Sequence, residues 1–373
     1  MRSLLIPVMD AGSGHRRPAE AIAEAVRRRH PDRFTVEVID PGPELAPLTD
    51  RFLKRSWDFA LAHPWLARHG YCLVQAPWAR YYLPTLFRQL QEQGVDFIRR
   101  RRPDIIFSTH FFWLTIAALA RQRHRLDCPV FGYVIDPHRL WAEPRADGIA
   151  FDPLVMPDPE RQLRGVSQDK IRAMPFPVAA EFTMPAGNDS PKAMERLRLE
   201  PQNLTVLVSQ GGQGIGRSAH FVRAVLERNL PVNLVIACGR NTGLKKYLDQ
   251  LAVTVKPPTR LITFGYTTAM VELMAMADIV VGKGGPSTTF EALSLGKPMI
   301  YTNWATYTEL PLVFGMIERN CAWFTPNAKD FGDLLAGICA KPELLAEKHQ
   351  ACRQLGFHSG ADAVADWLAA SID

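Results

Sequence analysis

Two doubly wound parallel α/β sheets, one after the other, are what this sequence predicts, and three observations lead there. Short apolar, β-branched runs alternate with helix-period segments, the pattern of parallel strands joined by crossover helices. The alternation breaks at a polar stretch over 181–202, containing Pro185, Gly187, Asn188, Asp189 and Pro191, and then restarts. Two strands of the second half run straight into glycine-rich turns followed by helix starts. At 373 residues the chain is long enough for two such domains.

In the first half, 4–9 reads as a strand, and 18–29 as a helix with Ala19, Ile22, Ala23 and Val26 on one face. Strands follow at 34–39, 104–108 and 130–135, with an apolar helix over 113–120 between the last two. The second half shows strands at 204–208, 233–237, 261–264, 279–281 and 298–301. Helices at 218–228, 242–251, 268–276 and 287–295 separate them. A last helix, 361–372, is free to cross back onto the first domain. The expected organisation is a domain over 1–180, a linker over 181–202, a domain over 203–355 and a returning segment over 356–373.

Residues 51–90 interrupt the alternation. They interleave Phe52, Trp57, Phe59, Trp65, Tyr71, Trp78, Tyr81, Tyr82 and Phe87 with Arg51, Lys54, Arg55, Arg68, Arg80 and Arg88. Rings and cations on amphipathic helices suit a membrane interface, with rings at headgroup depth and cations on anionic lipid. The same composition also suits a helical cap over the core. The net charge of +6 lies entirely before residue 181, where 26 Lys and Arg stand against 20 Asp and Glu, with 18 against 18 afterwards. Such a half prefers an anionic partner. Nothing in the chain resembles a nucleic-acid module.

Six cysteines without a Cys-x-x-Cys pair indicate neither a zinc site nor a disulfide framework, and read as thiols in a reducing compartment. The chain opens without a signal-peptide pattern and has no apolar run of about 18 residues. The expectation is a protein of the cytosol or of the cytosolic face of a membrane.

The most informative stretch is 279–292, Ile-Val-Val-Gly-Lys-Gly-Gly-Pro-Ser-Thr-Thr-Phe-Glu-Ala. A strand stops at Gly284 and Gly285, Pro286 takes a first helical position, and Ser287 and Thr288 follow. The amides and positive dipole end of such a helix start attract phosphate. Glu291 lies one turn further, where a carboxylate accepts hydrogen bonds from ribose hydroxyls. A second turn, Gly211-Gly212-Gln213-Gly214-Ile-Gly216, follows the strand at 204–208 and matches neither the dinucleotide fingerprint nor a Walker loop. Two such turns in one α/β unit suggest a nucleotide diphosphate site.

Ligands of doubly wound sheets bind beyond the carboxyl ends of the strands. In the first half those ends carry Asp10-Ala-Gly-Ser-Gly-His15-Arg, Thr109-His110, and Asp136-Pro-His138 with Trp141 just behind. Several histidines and carboxylates on adjacent loops point to catalysis. No nucleophile elbow and no recognised metal-ligand spacing is present. Group transfer from a nucleotide diphosphate donor, with His15 as general base oriented through Asp10 or a neighbouring carboxylate, suits these pieces best.

The Asp10-x-Gly-x-Gly-His15-Arg opening, Pro103-Asp-Ile-Ile-Phe-Ser-Thr-His110, Asp136-x-His138-x-x-Trp141, Gln210-Gly-Gly-x-Gly214 and Gly284-Gly-Pro-Ser-Thr-x-x-Glu291-Ala are together recognisable. They resemble the monogalactosyldiacylglycerol synthase and processive diacylglycerol glycosyltransferase family. More distantly, they are similar to the N-acetylglucosaminyltransferase that makes lipid II. The resemblance covers nearly the whole chain. It implies two facing Rossmann-like domains (the GT-B arrangement), monotopic membrane association, and inverting transfer of a sugar from a UDP-sugar to diacylglycerol without an essential metal or other cofactor. By the same resemblance His15 is the catalytic base, Asp10 the acidic residue of its loop, and Asp136 with His138 a second acceptor-side pair. Phe264 and Gly265 read uracil, Glu291 binds ribose, and Gly285, Pro286, Ser287 and Thr288 form the diphosphate loop. Trp57, Trp65, Trp78 and Trp141 fall to the membrane and acceptor side.

One segment departs from the family pattern. The Gln/Glu-rich stretch that holds donor-sugar hydroxyls is replaced here by Trp304-Ala-Thr-Tyr-Thr-Glu-Leu-Pro311. Thr306, Tyr307 and Glu309 take its positions, and their hydroxyl and carboxylate groups are able to bond a sugar. Two rival readings share the same residues: a transferase with another acceptor, such as a polyprenyl-linked glycan, and a UDP-sugar-binding protein with reduced activity.

Overall fold

Continuous apolar runs, with no polar alternation, form strands when both faces of a parallel sheet are covered by helices, and the chain builds two such sheets. The computed structural model describes residues 1–10, 14–75, 87–183, 194–209, 211, 212, 214 and 218–372. The chain divides into two units. One comprises Met1–Ala180, Thr306–Pro311 and Ser359–Asp373, the other Glu181–Ala305 and Leu312–His358.

The N-terminal unit holds strands β1 (Arg2–Pro7), β2 (Phe34–Ile39), β3 (Ile105–Ser108), β4 (Val130–Val134), β5 (Gly148–Phe151) and β6 (Ile171–Ala173). They lie in the order 2-1-3-4-5-6, every pairing parallel. Its helices are α1 (Arg16–Arg29), α2 (Gly42–Leu45), α3 (Pro47–Ala62), α4 (Pro64–Gln75), α5 (Arg88–Arg101), α6 (Phe111–His124) and the short α7 (Pro159–Gln162). Order changes direction between β1 and β3, so the loops after these two strands flank a switch point, where doubly wound sheets take ligands.

The aromatic-basic insertion forms α3 and α4. Leu48, Phe52, Phe59 and Trp65 are 78, 67, 57 and 63% exposed. Trp57 is half-buried on α3. Trp78, Tyr81 and Tyr82 lie outside the described residues. Lys54 of α3 reaches back to the end of β2, its Nζ lying 2.6 Å from Asp40 Oδ2 and 2.9 Å from Asp50 Oδ1.

The second unit holds β7 (Leu204–Ser209), β8 (Val232–Ala237), β9 (Arg260–Phe264), β10 (Ile279–Lys283), β11 (Met299–Asn303) and β12 (Ala322–Phe324), all parallel. Their order is 12-11-10-7-8-9, which is the 3-2-1-4-5-6 order of dinucleotide-binding sheets read from the other edge. The connecting helices are α8 (Ser218–Leu226), α9 (Thr242–Ala252), α10 (Met270–Met276), α11 (Pro286–Ser294), α12 (Leu310–Glu318), α13 (Ala328–Ala340) and α14 (Glu343–Gln354). β5, β6, β12, α13 and α14 go beyond the sequence expectations. The three strands have only three or four residues each, too few to show a period.

The last helix, α15 (Ala361–Ala370), belongs to the N-terminal unit and lies against α1. The C-terminal end of α1 carries Arg28, Arg29 and His30, where cations complement the dipole. Arg28 bonds Asp362, Arg29 bonds Asp366 through two nitrogens at 2.8 and 2.6 Å, and His30 Nε2 lies 3.0 Å from Asp366. Trp367 packs edge-on against Phe131, ring centres 4.9 Å apart. Gly148 makes that possible, because a Cβ there would fall 2.3 Å from the indole. Gly148→Ala should therefore overpack the site and destabilise the N-terminal unit by ~1–3 kcal/mol. A lowered urea midpoint with an unchanged slope is the expected readout.

Candidate active site

The switch point of the N-terminal unit joins β1 to β3 through side chains. His15 stands at the start of α1, and its Nδ1 lies 2.6 Å from the carbonyl oxygen of Thr109, just after β3. The Thr109 hydroxyl returns a bond to the His15 carbonyl at 2.7 Å. A carbonyl only accepts, so His15 Nδ1 carries the proton and Nε2 presents its lone pair.

His110 and His138 have the opposite tautomer. His110 caps α6, its Nδ1 accepting the Phe112 N–H at 3.3 Å. His138 caps a 3₁₀ turn over Arg139–Trp141, its Nδ1 accepting the Leu140 N–H at 3.2 Å. In both neutral rings Nε2 is the donor. The three imidazoles form one stack. His15 meets His110 edge-on at 4.6 Å, His110 stacks on Phe111 at 4.7 Å, and Phe111 meets His138 edge-on at 4.6 Å. Asp136 Oδ2 lies 3.5 Å from His138 Nε2. Burial holds the His110 pKa well below the ordinary histidine value, and the neighbouring His15 and His138 push the same way against Asp136. Among the described residues no group of three or more His, Cys, Asp or Glu is placed to hold a metal ion.

The second unit has its switch point between β7 and β10. After β7, Gly211 and Gly214 take φ of +81° and +62°. The Gly214 N–H bonds the Gly211 carbonyl, and the turn lies on the loop after β8. There the Arg240 N–H bonds the Gly212 carbonyl at 2.9 Å, and Asn241 Nδ2 bonds the Gly214 carbonyl at 3.1 Å. A Cβ on Gly214 would sit 1.9 Å from the Cys238 carbonyl oxygen, so only glycine fits. After β10, Gly285 caps α11 with Pro286 in the first turn, and Thr289 Oγ1 bonds both the Gly285 carbonyl and the Tyr301 hydroxyl. Ser287 and Thr288 occupy the first turn, where helix amides lack intrahelical partners. Glu291 is 4% exposed on the same helix. Phe264 ends β9, its carbonyl accepting the Cys238 N–H at 2.8 Å, and Gly265 follows beside exposed Tyr266, over which Arg240 lies at 5.2 Å.

Most sequence-derived residues thus assemble in two sets, one per unit. Several differ from expectation. Asp10 does not orient His15; its carboxylate takes two bonds from Arg16, at 2.6 and 2.7 Å. The Thr109 carbonyl orients the ring instead. Trp141 is fully buried, and its Nε1–H bonds the Asp136 carbonyl at 2.9 Å, so it supplies no membrane contact. Thr306 is buried with its hydroxyl 2.7 Å from that of Thr308, whereas Tyr307 is 48% exposed. Thr306, Tyr307 and Glu309 fall within the N-terminal unit. Gln213 lies outside the described residues. His110 and Thr109 were legible as loop residues, but nothing in their spacing marked the bonds they make.

A family model described as monogalactosyldiacylglycerol (MGDG) synthase matches residues 15–178, and one described as glycosyltransferase family 28 C-terminal domain matches 205–309. A rice protein named "Probable monogalactosyldiacylglycerol synthase 2, chloroplastic" is 28% identical over 346 residues, 88% of this chain and 72% of its own. Monogalactosyldiacylglycerol synthase 1 of Arabidopsis thaliana is 27% identical over 361 residues, 90% of this chain and 64% of its own. Among solved structures, MurG of Acinetobacter baumannii superposes with a TM-score of 0.64 at 12% identity, covering 98% of this chain and 99% of that one. HepE of Anabaena in complex with UDP-glucose gives 0.57 at 15%, covering 98% and 95%. These likenesses establish the GT-B fold.

His110 stays neutral when folded and takes a proton when unfolded, so the unfolded state gains protons first as pH falls below about 6.5. Stability from this residue is complete above that pH and declines by up to about 1.4 kcal/mol per pH unit as pH drops toward the folded value. His110→Asn keeps a capping side chain but does not titrate. Urea denaturation across pH 7 to 5 should show a shallower loss of stability in the variant than in the wild type.

Proposed function

We propose that the chain, matched by family models of monogalactosyldiacylglycerol synthase and of the glycosyltransferase family 28 C-terminal domain, moves a hexose from a UDP-sugar to the free hydroxyl of diacylglycerol at an anionic membrane surface. The observation that carries the mechanism is the tautomer of His15. With Nδ1–H held by the Thr109 carbonyl, Nε2 is a fixed acceptor for the hydroxyl proton. The acceptor oxygen attacks the anomeric carbon, the bond from that carbon to the β-phosphate oxygen breaks with inversion, and UDP departs. His15 becomes an imidazolium whose Nδ1–H still bonds Thr109.

On the donor side the start of α11, with Gly285, Pro286, Ser287 and Thr288, and the Gly211–Gly214 turn stabilise charge on the leaving diphosphate. This reading asks for no cofactor. Glu291 takes the ribose hydroxyls, and the backbone at Phe264 and Gly265 meets the uracil. The UDP-glucose in HepE and the substrate class in the relatives' names support donor and acceptor.

Peripheral attachment, at the cytoplasmic face, rests on α3 and α4. Their exposed Leu48, Phe52, Phe59 and Trp65 stand among exposed Arg51 and Arg55. No described helix is long and apolar enough to cross a membrane.

The decisive experiment incubates the protein with diacylglycerol in anionic vesicles and a panel of UDP-hexoses, then weighs the glycolipids by mass spectrometry. His15→Ala should lower turnover by ~10²–10⁴-fold while UDP affinity, measured by calorimetry, stays within twofold. A variant keeping a tenth of wild-type turnover would remove His15 from the base role. For the membrane, Phe52, Phe59 and Trp65 changed together to Ser should weaken partitioning onto anionic vesicles by roughly tenfold or more. Unchanged co-sedimentation would assign these rings another task.

A further inference from the structure

At the other end of the second sheet, the chain enters β11 through Leu295, Gly296 and Lys297, and α14 passes over this entry. Between them is a cleft of about 390 Å³ lined by Leu295, Gly296, Lys297, Ala346, His349 and Arg353. It lies at the amino ends of the strands, about one strand length (roughly 15 Å) from the carboxyl ends that carry the glycine turns.

The charges around this cleft do not balance. Among the described residues no carboxylate lies within 4 Å of the Lys297 ammonium or the Arg353 guanidinium. His349 Nδ1–H donates to the Gly296 carbonyl at 3.0 Å, which leaves Nε2 as an acceptor. Burial pushes the pKa of both Lys297 and His349 down, with Asp278 the only carboxylate acting on either. Asp278 is itself engaged, its Oδ2 accepting the Thr205 N–H at 2.7 Å. Lys297 is half-buried, and a partly buried cation without a counter-charge is unfavourable unless an anion joins it, while Arg353 stands exposed at the rim of the same cleft. Gly296, at φ +66°, carries no side chain to obstruct the opening.

We propose that this cleft binds a phosphate group, as a second anion site distinct from the nucleotide turns. An ammonium and a guanidinium offer charge-assisted donors of different geometry, and a tetrahedral oxyanion accepts from both at once. The volume admits a phosphate monoester or diester, either free in solution or as the exposed headgroup of a phospholipid. The proposal goes beyond the transfer reaction and does not depend on it.

The test is calorimetric titration of the full chain with inorganic phosphate in the presence of saturating UDP, so that the nucleotide turns are occupied. A paired titration without UDP shows whether UDP binds at all. Lys297→Gln with Arg353→Gln should weaken phosphate by about tenfold or more, with UDP affinity unchanged. Ala346→Glu places a carboxylate at the cleft wall and should abolish phosphate binding while raising the melting temperature. A folded Ala346→Glu chain keeps the test decisive should the double variant fail to fold. In a second arm, vesicles of phosphatidylcholine with one-fifth phosphatidylglycerol report headgroup binding. Weaker co-sedimentation of the variants identifies a lipid source, and unchanged co-sedimentation with lost phosphate binding identifies a soluble one. Equal phosphate affinity in wild type and in Ala346→Glu would overturn the proposal, as would no phosphate binding by the wild type at millimolar concentration.

Discussion

Two hydrogen bonds between the loops that follow β1 and β3 set the chemistry of the N-terminal unit. His15 donates to the Thr109 carbonyl, and the Thr109 hydroxyl donates to the His15 carbonyl. Residues 94 apart in sequence are thus locked across the point where the strand order reverses. One of these bonds decides which nitrogen of His15 is basic, and the other ties the start of α1 to the end of β3. A carboxylate in the same place would also have oriented the ring. It would in addition have raised the imidazole's basicity, which a neutral carbonyl does far less. Asp10, the carboxylate that precedes His15 in the same loop, is meanwhile taken by Arg16.

The second unit solves a different problem, that of bringing one stretch of backbone close to another. Its glycines take positions where a side chain has no room. Gly214 sits against the Cys238 carbonyl and Gly239 against that of Gly212. The loops after β7 and β8 therefore pack backbone to backbone. Gly282 extends the same principle into the sheet, where a Cβ would lie 2.8 Å from the Ser209 carbonyl. Rigid loops of this kind hold amide dipoles without needing to reorganise when charge appears nearby.

Long strands were legible in the sequence because a parallel sheet covered on both faces demands five or six apolar residues in a row. β7, β8 and β10 come near it, with the unbroken apolar runs Val206–Val208, Leu234–Ala237 and Ile279–Val281. β6, Ile-Arg-Ala at a sheet edge, has nothing that a loop would lack. The glycine turns were legible for the related reason that close backbone approach restricts residue type. The His15–Thr109 pair was not, since it exists only once β1 lies beside β3. Trp141 shows the limit of residue type as a guide. An aromatic near a catalytic loop suits an interface or a core equally, and here Phe111 and the Asp136 backbone draw it inside. Thr306 shows the same for a hydroxyl, which finds Thr308 two residues away.

The C-terminal helix gives the chain an uncommon order of completion. The second unit has all of its residues once position 358 has been made, whereas the N-terminal unit still lacks α15. During synthesis on a ribosome the usual sequence of events, first domain folded first, is therefore inverted for the final step. Until α15 emerges, three basic groups at the end of α1 wait for Asp362 and Asp366, and the hollow over Gly148 waits for Trp367. A chain that stops short of α15 would carry a finished second unit and a first unit open along one helix. Residues 361–370 thus act as a closing clasp for a unit whose other strands and helices come far earlier in the sequence.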